Sequence, residues 1–266
     1  MTAPDSSLTW EGGDARYWSD VLDLPLVQLY ATVTSTNDIA RDLAEGGAPH
    51  LTLVIADHQT QGRGRGGKSW VSAPGSSLLC SLILRYHASG GAAPGAAPVR
   101  VGHAVADAIQ HSARAETRVK WPNDIVIPGH GKVAGILCEG AARREDAYLV
   151  AGIGINVHGP DGQYASVGGA ADRPVSRAVL LTEVVARCRQ LADVVCTPLS
   201  DAELAAMRPR NVLLGQLVEA ENGARGRALG IAPDGSLLVQ TDSGVLPIHN
   251  ATIRLADDPA YPGARA

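Results

Sequence analysis

The segment Gly62-Arg63-Gly64-Arg65-Gly66-Gly67-Lys68-Ser69 satisfies two nucleotide-binding patterns at once, G-x-x-x-x-G-K-[ST] and G-x-G-x-x-G. Either pattern would settle the fold, because each works only where a strand runs straight into the loop and a helix follows whose N-terminus meets the phosphates. The flanks refuse both. The preceding apolar run, LTLVIA, ends at Ala56, and polar residues separate it from Gly62; after Ser69 comes Trp-Val-Ser-Ala-Pro-Gly, which does not open a helix. No acidic residue closes a βαβ unit, and no later apolar strand ends in an Asp suited to magnesium. A P-loop NTPase survives only as a distant alternative. What remains is backbone able to approach a ligand closely, with two arginines and a lysine suited to phosphate or carboxylate. An exposed basic loop is an equally good reading of these residues alone. A loop of this composition is expected to be mobile when empty and ordered by an anion.

The rest of the chain alternates short apolar runs with turns. Residues 1–24 read as a loosely held arm. Strands are expected at 26–33, 51–56, 78–86, 118–121 and 148–157, with a hairpin formed by 125–127 and 133–139. Ser35-Thr36-Asn37-Asp38 opens a short helix that Gly46 and Gly47 stop. Helices are expected at 99–113, 177–195 (the longest pattern) and 201–207, and the Ala/Gly/Pro-rich residues 88–98 read as a flexible loop. From about residue 215 the texture changes to short strands cut by Asn-Gly, Asp-Gly and Ser-Gly turns. This spells an α/β or α+β domain followed by a small antiparallel barrel or sheet.

Composition narrows the function. With 45% hydrophobic and 19% charged residues the chain can bury a full core, in which Ala, Val and Leu must do the filling because there is no Phe. A net charge of −4 gives no global basic field for nucleic acid. The N-terminus lacks the basic and apolar regions of a signal peptide, and no run reaches the ~18 apolar residues of a membrane span. The four cysteines form no C-x-x-C pair and read as reduced thiols of a cytoplasmic protein; no structural metal site is expected.

Several segments together resemble one family. Ser35-Thr36-Asn37, Gln59, GRGRGGKSW (62–70), KWPND (120–124), KVAGIL (132–137) and GIGIN (152–156) are similar, in order and spacing, to biotin protein ligases over roughly residues 28–160. Any one piece is weak; the set is specific. The resemblance implies an α+β fold, a mixed β-sheet flanked by helices of the class II synthetase-like biotin/lipoate ligase type. It assigns residues 25–212 to a catalytic domain and 213–266 to a small SH3-like β-barrel domain. It also implies a two-step reaction: biotin and Mg-ATP give biotinoyl-5′-AMP and pyrophosphate, and the adenylate then acylates one lysine of the biotin carboxyl carrier domain of an acyl-CoA carboxylase. Residues 1–24 are too few for the DNA-binding winged helix of bifunctional members, so no repressor function and no DNA partner are expected. A lipoate or octanoate ligase of the same fold is the alternative within this chemistry.

The resemblance also implies roles, each beside a plainer one. Lys132 and Arg65 are the expected catalytic residues, Lys132 acting as a point charge on the reacting oxygens; an exposed turn lysine is the default alternative. Ser35, Thr36, Asn37 and Gln59 are expected to bind the biotin ring system with Arg63, Gly64, Arg65 and Lys132, although the first three also suit helix capping. Arg63, Arg65, Lys68, Trp70, Asn123, Asp124 and Asn156 are expected at the ATP and adenylate. Lys68 stands where the family has Arg, and Trp70 either packs near the adenine or anchors the loop, with anchoring preferred. Asn123-Asp124 is otherwise ordinary turn chemistry. In the family reading Asp124 lies near the Mg²⁺ that accompanies ATP and is a candidate base for the carrier lysine. Gly152 and Gly154 allow close approach beside Asn156, or simply pack within a buried strand.

Overall fold

Two β-sheets divide the strands between them, and the elements that join them also build the cavity described below. The computed structural model describes residues 8–86, 95–141, 147–159 and 165–255. In chain order these form α1 (Ala15–Leu22), β1 (Val27–Val33), α2 (Thr36–Glu45), β2 (Thr52–Gln59), β3 (Ser77–Tyr86), α3 (Ala96–Ala113), β4 (Arg118–Lys120), β5 (Asp124–Ile127), β6 (Gly131–Ala141) and β7 (Ala147–Asn156). There follow α4 (Val167–Ala170), α5 (Arg177–Arg189), α6 (Asp201–Met207), β8 (Leu217–Ala220), β9 (Arg225–Ile231), β10 (Leu237–Thr241), β11 (Gly244–Ile248) and β12 (Ile253–Leu255).

The larger sheet has the order β1-β2-β3-β7-β6-β5-β4. Only β1 and β2 pair in parallel; the other neighbours are antiparallel. It is therefore the mixed sheet flanked by helices that the sequence led one to expect. Its interior strand β3 is buried along both faces over most of its length, which explains its continuous apolar run rather than an alternating pattern. One face packs on α3, α5 and α1 through residues such as Leu82, Leu84, Val105, Ile109, Leu180 and Val184. The other face is covered by α2, whose Ile39, Ala40 and Ala44 meet Tyr30, Val54, Ile83 and Val150. The smaller sheet is antiparallel, in the order β11-β10-β9-β8-β12, with β11 and β12 at its edges.

The glycine-rich segment joins β2 to β3, which are antiparallel neighbours. It is a β–β connection with no following helix, so the P-loop geometry is absent and the sequence argument against it holds.

Three local expectations give way. Residues 8–24 are not loosely held: Trp10 and Trp18 are each 3% exposed, their rings pack edge to face, and Trp18 Nε1 donates to Trp10 O at 2.8 Å. Asp14 caps α1 by accepting from Tyr17 N, and Arg177 fixes the segment by pairing with Glu11 at 2.6 Å and lying over the Trp10 ring. The burial is concentrated in two indoles and two leucines, so a mostly polar run conceals it. Ala96, Ala97 and Pro98, assigned above to a flexible loop, open α3, and both alanines are fully buried; residues 87–94 of that stretch lie outside the described residues. Among the described residues the longest helix is α3 with 18 residues, since α5 ends at Arg189 after 13. Among the described residues no helix is long and apolar enough to cross a membrane.

The sheets are joined at the KWPND segment. Trp121 is buried in the core of the smaller sheet, among Val99, Leu213, Val218 and Leu237, and its Nε1 donates to Gly235 O at 2.8 Å. The peptide bond that follows, to Pro122, is cis. Gly235 and Gly95 approach so closely that a Cβ on Gly235 would lie 2.2 Å from Gly95 O. Val212 N donates to Val119 O at 3.0 Å alongside.

Candidate active site

A cavity lies between the glycine-rich hairpin, the start of α2, the β5–β6–β7 strands and the smaller sheet, and its lining runs in sequence from Ser35 to Ile253. Of the residues singled out from the sequence it gathers Ser35, Thr36, Asn37, Gln59, Arg63, Gly64, Arg65, Lys68, Trp70, Asn123, Asp124, Lys132, Gly152 and Gly154.

One end is uncharged and dense in hydrogen-bonding groups. Ser35 is the N-cap of α2, yet its side chain makes no capping bond. Thr36 donates from N and from Oγ1 to Gln59 Oε1, at 2.8 and 3.1 Å. Asn37 donates from Nδ2 to Leu137 O (3.2 Å) and Glu139 Oε2 (2.9 Å), while its Oδ1 lies 2.7 Å from Ser81 Oγ. Ser35, Thr36 and Asn37 are 2–4% exposed. Buried polar groups need partners, and those of Thr36 and Asn37 hold each side chain in one orientation. The three line the cavity, and no side-chain cap bond from Ser35 accounts for its place there. Gly152 makes room for this: a Cβ there would lie 2.0 Å from Asn37 Oδ1.

The other end is cationic. Lys132 Nζ lies 2.7 Å from Asp124 Oδ1 and 5.7 Å from the centroid of the Trp70 ring. A bulge in the β5–β6 ladder brings it there. Ile125 pairs with Ala134 and Val126 with Lys132, so Val133 is the extra residue. Strict alternation would set Lys132 on the face opposite Gly135; the bulge reverses this, and a Cβ on Gly135 would lie 3.3 Å from Lys132 Nζ. Arg65 donates from Nη1 to Asn123 Oδ1 at 3.3 Å and from Nη2 to Asn250 Oδ1. Asn123 is held in turn by its Nδ2 donating to Ile136 O at 2.8 Å. Burial lowers the Arg65 pKa from its ordinary value, against the opposing fields of Asp124 and Glu221. Lys68 is exposed at the rim.

The glycine-rich connection is itself a narrow hairpin. Trp70 N donates to Gly62 O (2.8 Å) and Gly64 N to Lys68 O (2.7 Å), with Arg63 bridged to Ser69 between them. Gly66 and Gly67 turn the tip with φ of +62° and +75°, a region that favours glycine. The Trp70 ring lies against the floor: a Cβ on Gly154 would come within 2.8 Å of it, and one on Gly135 within 3.1 Å. Trp70 therefore anchors the hairpin and also forms part of the cavity wall.

Asn156 does not line this cavity. Its Nδ2 donates to Ala165 O at 3.1 Å and its Oδ1 accepts from Ser77 Oγ at 3.4 Å, just past the end of the site-facing run of β7. Sequence reasoning overlooked Glu139, Asp38 and Ser81, and it overlooked Asn250 to Ile253, the contribution of the smaller sheet. Glu139 shares a strand face with Gly135 and Leu137, so the period-2 pattern of KVAGILCEG could have found it. Nothing in the sequence marked Asn250.

The arrangement suits a ligand with a compact polar head at one end and a carboxylate or phosphate at the other. The comparisons first give the class. The model of the biotin/lipoate A/B protein ligase family matches residues 29–156, and that of the biotin protein ligase C-terminal domain matches residues 213–252. The bifunctional ligase/repressor BirA of Bacillus subtilis is 33% identical over 237 residues, 84% of this chain and 72% of its own. The biotin–[acetyl-CoA-carboxylase] ligase of Paracoccus denitrificans is 34% identical, over 81% of this chain and 95% of its own. That of Mycobacterium tuberculosis is 33% identical over 78% and 79%. The biotin protein ligase from Aquifex aeolicus, solved in complex with biotin and ATP, shares the fold with a TM-score of 0.69 at 24% identity, over 86% of this chain and 99% of that one. The chain belongs to the biotin protein ligase family.

Proposed function

We propose that this protein activates biotin with ATP as biotinoyl-5′-AMP and transfers the biotinoyl group to a lysine of a carboxylase's biotin carrier domain. The observation that carries the proposal is convergence: segments spread from Ser35 to Gly154 meet in one cavity, polar and uncharged at one end and cationic at the other. A ureido head presents both donors and acceptors, which Ser35, Thr36, Asn37 and Gln59 complement. In the first step a biotin carboxylate oxygen bonds to the α-phosphorus and pyrophosphate leaves. Negative charge gathers on the α-phosphoryl oxygens, where Lys132 and Arg65 stabilise it and Lys68 adds a cation at the rim. In the second step the carrier's lysine nitrogen bonds to the acyl carbon, AMP departs, and the amine loses a proton. In this reading Asp124 accepts that proton or holds Lys132 in position, and its 2.7 Å contact with Lys132 Nζ supports the second role. Asn123 orients Arg65.

Magnesium enters with ATP. Among the described residues no group of three His, Cys, Asp or Glu could hold a metal by itself. One carboxylate, Asp124, fits a Mg²⁺ coordinated mainly by phosphate oxygens and water. Asn156, outside the cavity wall, contacts the nucleotide only if the ligand extends along β7. In this reading residues 25–212, together with residues 8–24, form the catalytic domain, and the chain from residue 213 onward forms the smaller one. A cytoplasmic setting, where carboxylases and ATP meet, completes the reading.

ATP–pyrophosphate exchange with Mg²⁺ tests it, comparing biotin, lipoate, octanoate and no acid. Exchange with biotin alone is expected. Exchange with lipoate or octanoate would keep the fold and overturn the substrate; ATP hydrolysis without exchange would overturn the adenylation chemistry.

A further inference from the structure

Arg63 and Arg65 are one glycine apart and are held by different kinds of partner. The Arg63 guanidinium meets two carboxylates: Nη1 and Nη2 donate to Glu139 Oε1 and Oε2 at 2.9 and 2.5 Å, and Nη2 lies 3.0 Å from Asp38 Oδ1. Asp38 is also 3.2 Å from Arg41. Arg65 meets amides, those of Asn123 and Asn250. A guanidinium between two carboxylates brings no net positive charge to a phosphate, whereas one bonded to amide oxygens keeps its charge for a ligand. The two arginines of the GRGR segment are therefore not equivalent.

Glu139 also reaches the far end of the cavity. Its Oε2 accepts from Asn37 Nδ2, and Asn37 Oδ1 lies against Ser81 Oγ, which is 2.8 Å from Thr36 Oγ1; Thr36 N donates to Gln59 Oε1. A flipped Asn37 amide would turn its oxygen toward the Glu139 carboxylate and the Leu137 carbonyl, so this contact fixes which atom faces which way. One continuous chain of hydrogen bonds thus runs from the hairpin to the uncharged end.

We propose that Glu139, assisted by Asp38, is a positioning residue that anchors the glycine-rich hairpin through Arg63 and sets the Asn37 amide. Seating the hairpin and shaping the head-group pocket are then one event. Of the two arginines, Arg65 meets the phosphate and Arg63 is the anchor. This inference rests on the adenylation reading given above.

The test is a double-mutant cycle on Arg63→Ala and Glu139→Gln, read as the first-order release rate of biotinoyl-AMP. The adenylate is formed on the enzyme from biotin and α-labelled ATP without carrier protein, then chased with unlabelled substrates. A first-order rate does not depend on how much protein is folded, so a merely structural loss leaves it unmoved. Each single variant is expected to release the adenylate roughly tenfold faster, and the double variant no faster than either. Asp38→Asn, acting on the same guanidinium from the other side, is expected to shift release in the same direction by less. Multiplicative effects in the double variant, or release at the wild-type rate in Glu139→Gln, would overturn the anchor. Failure of the wild-type protein to form the adenylate would instead remove the adenylation reading, and the inference with it.

Discussion

Lys132 and Asp124 form a 2.7 Å ion pair across the β5–β6 hairpin, and they do so because β6 carries one residue more than its partner strand at Val133. The pair gives the lysine a fixed direction and leaves it beside the Trp70 ring. In the adenylation proposed above, a charge held so in advance needs no reorganisation when negative charge develops beside it.

Lys132→Gln is therefore expected to lower the rate of biotin adenylation by about two to three orders of magnitude, equivalent to about 3–4 kcal/mol of transition-state stabilisation. Pre-steady-state formation of labelled adenylate measures this directly. Lys132 is half-exposed, so the melting temperature should change little. A variant that adenylates at the wild-type rate would remove Lys132 from the chemistry.

Gly152→Ala places a Cβ 2.0 Å from Asn37 Oδ1 at a buried position of β7. Asn37 must move, and its bonds to Glu139 and Leu137 with it. Overpacking of this kind costs about 1–3 kcal/mol. The expected result is a KM for biotin raised by roughly tenfold or more, with the KM for ATP much less affected. Steady-state exchange kinetics in both substrates would show whether the loss is selective.

Trp121→Phe keeps most of the apolar volume and removes the indole donor, so the Gly235 carbonyl loses its 2.8 Å partner within a buried interface. An unsatisfied buried carbonyl costs about 1–3 kcal/mol. Denaturant unfolding should show that loss. Activity measured well below the transition should also fall, because only Pro122 separates Trp121 from Asn123 and Asp124.

Burial in α3, reinforced by the Arg210 charge and opposed by Asp107, pushes His103 down from 6.5 to about 4. Between those values the unfolded chain binds a proton that the folded chain refuses, so stability falls as pH drops from about 6.5 toward about 4. The sign is that of a base kept neutral in the fold. Unfolding free energies at pH 7 and pH 4.5 should differ by less in His103→Gln than in the wild type, by an amount on the order of 2–3 kcal/mol.

How far the sequence revealed this molecule depends on how local each feature is. The glycine-rich loop at 62–70, the short strands and the turn-rich C-terminal sheet were readable because glycine placement and apolar alternation act over a few residues, although the pairing that makes the loop a narrow hairpin was not. Dismissing the P-loop needed only the flanks of Ser69. Trp10 and Trp18 escaped because two indoles in a polar run carry no period, although each is 3% exposed in the fold. The direction of Lys132 was hidden by a bulge that reverses the phase of β6. Asn250 was hidden more deeply, since its meeting with Arg65 depends on the docking of one sheet against another.

That meeting also bears on when the protein becomes competent. Arg65 and Asn250 are 185 positions apart, and Asn37 and Glu139 are 102 apart. Pairings so remote close late, after local helices and hairpins have formed, because the entropy of long loops must be overcome first. A chain whose smaller sheet has not yet docked holds the glycine-rich hairpin but lacks the wall formed by Ala251, Thr252 and Ile253. Recovery of ligase turnover during refolding thus reports on maturation of the whole chain, and a half-made molecule has no enclosed place in which to spend ATP.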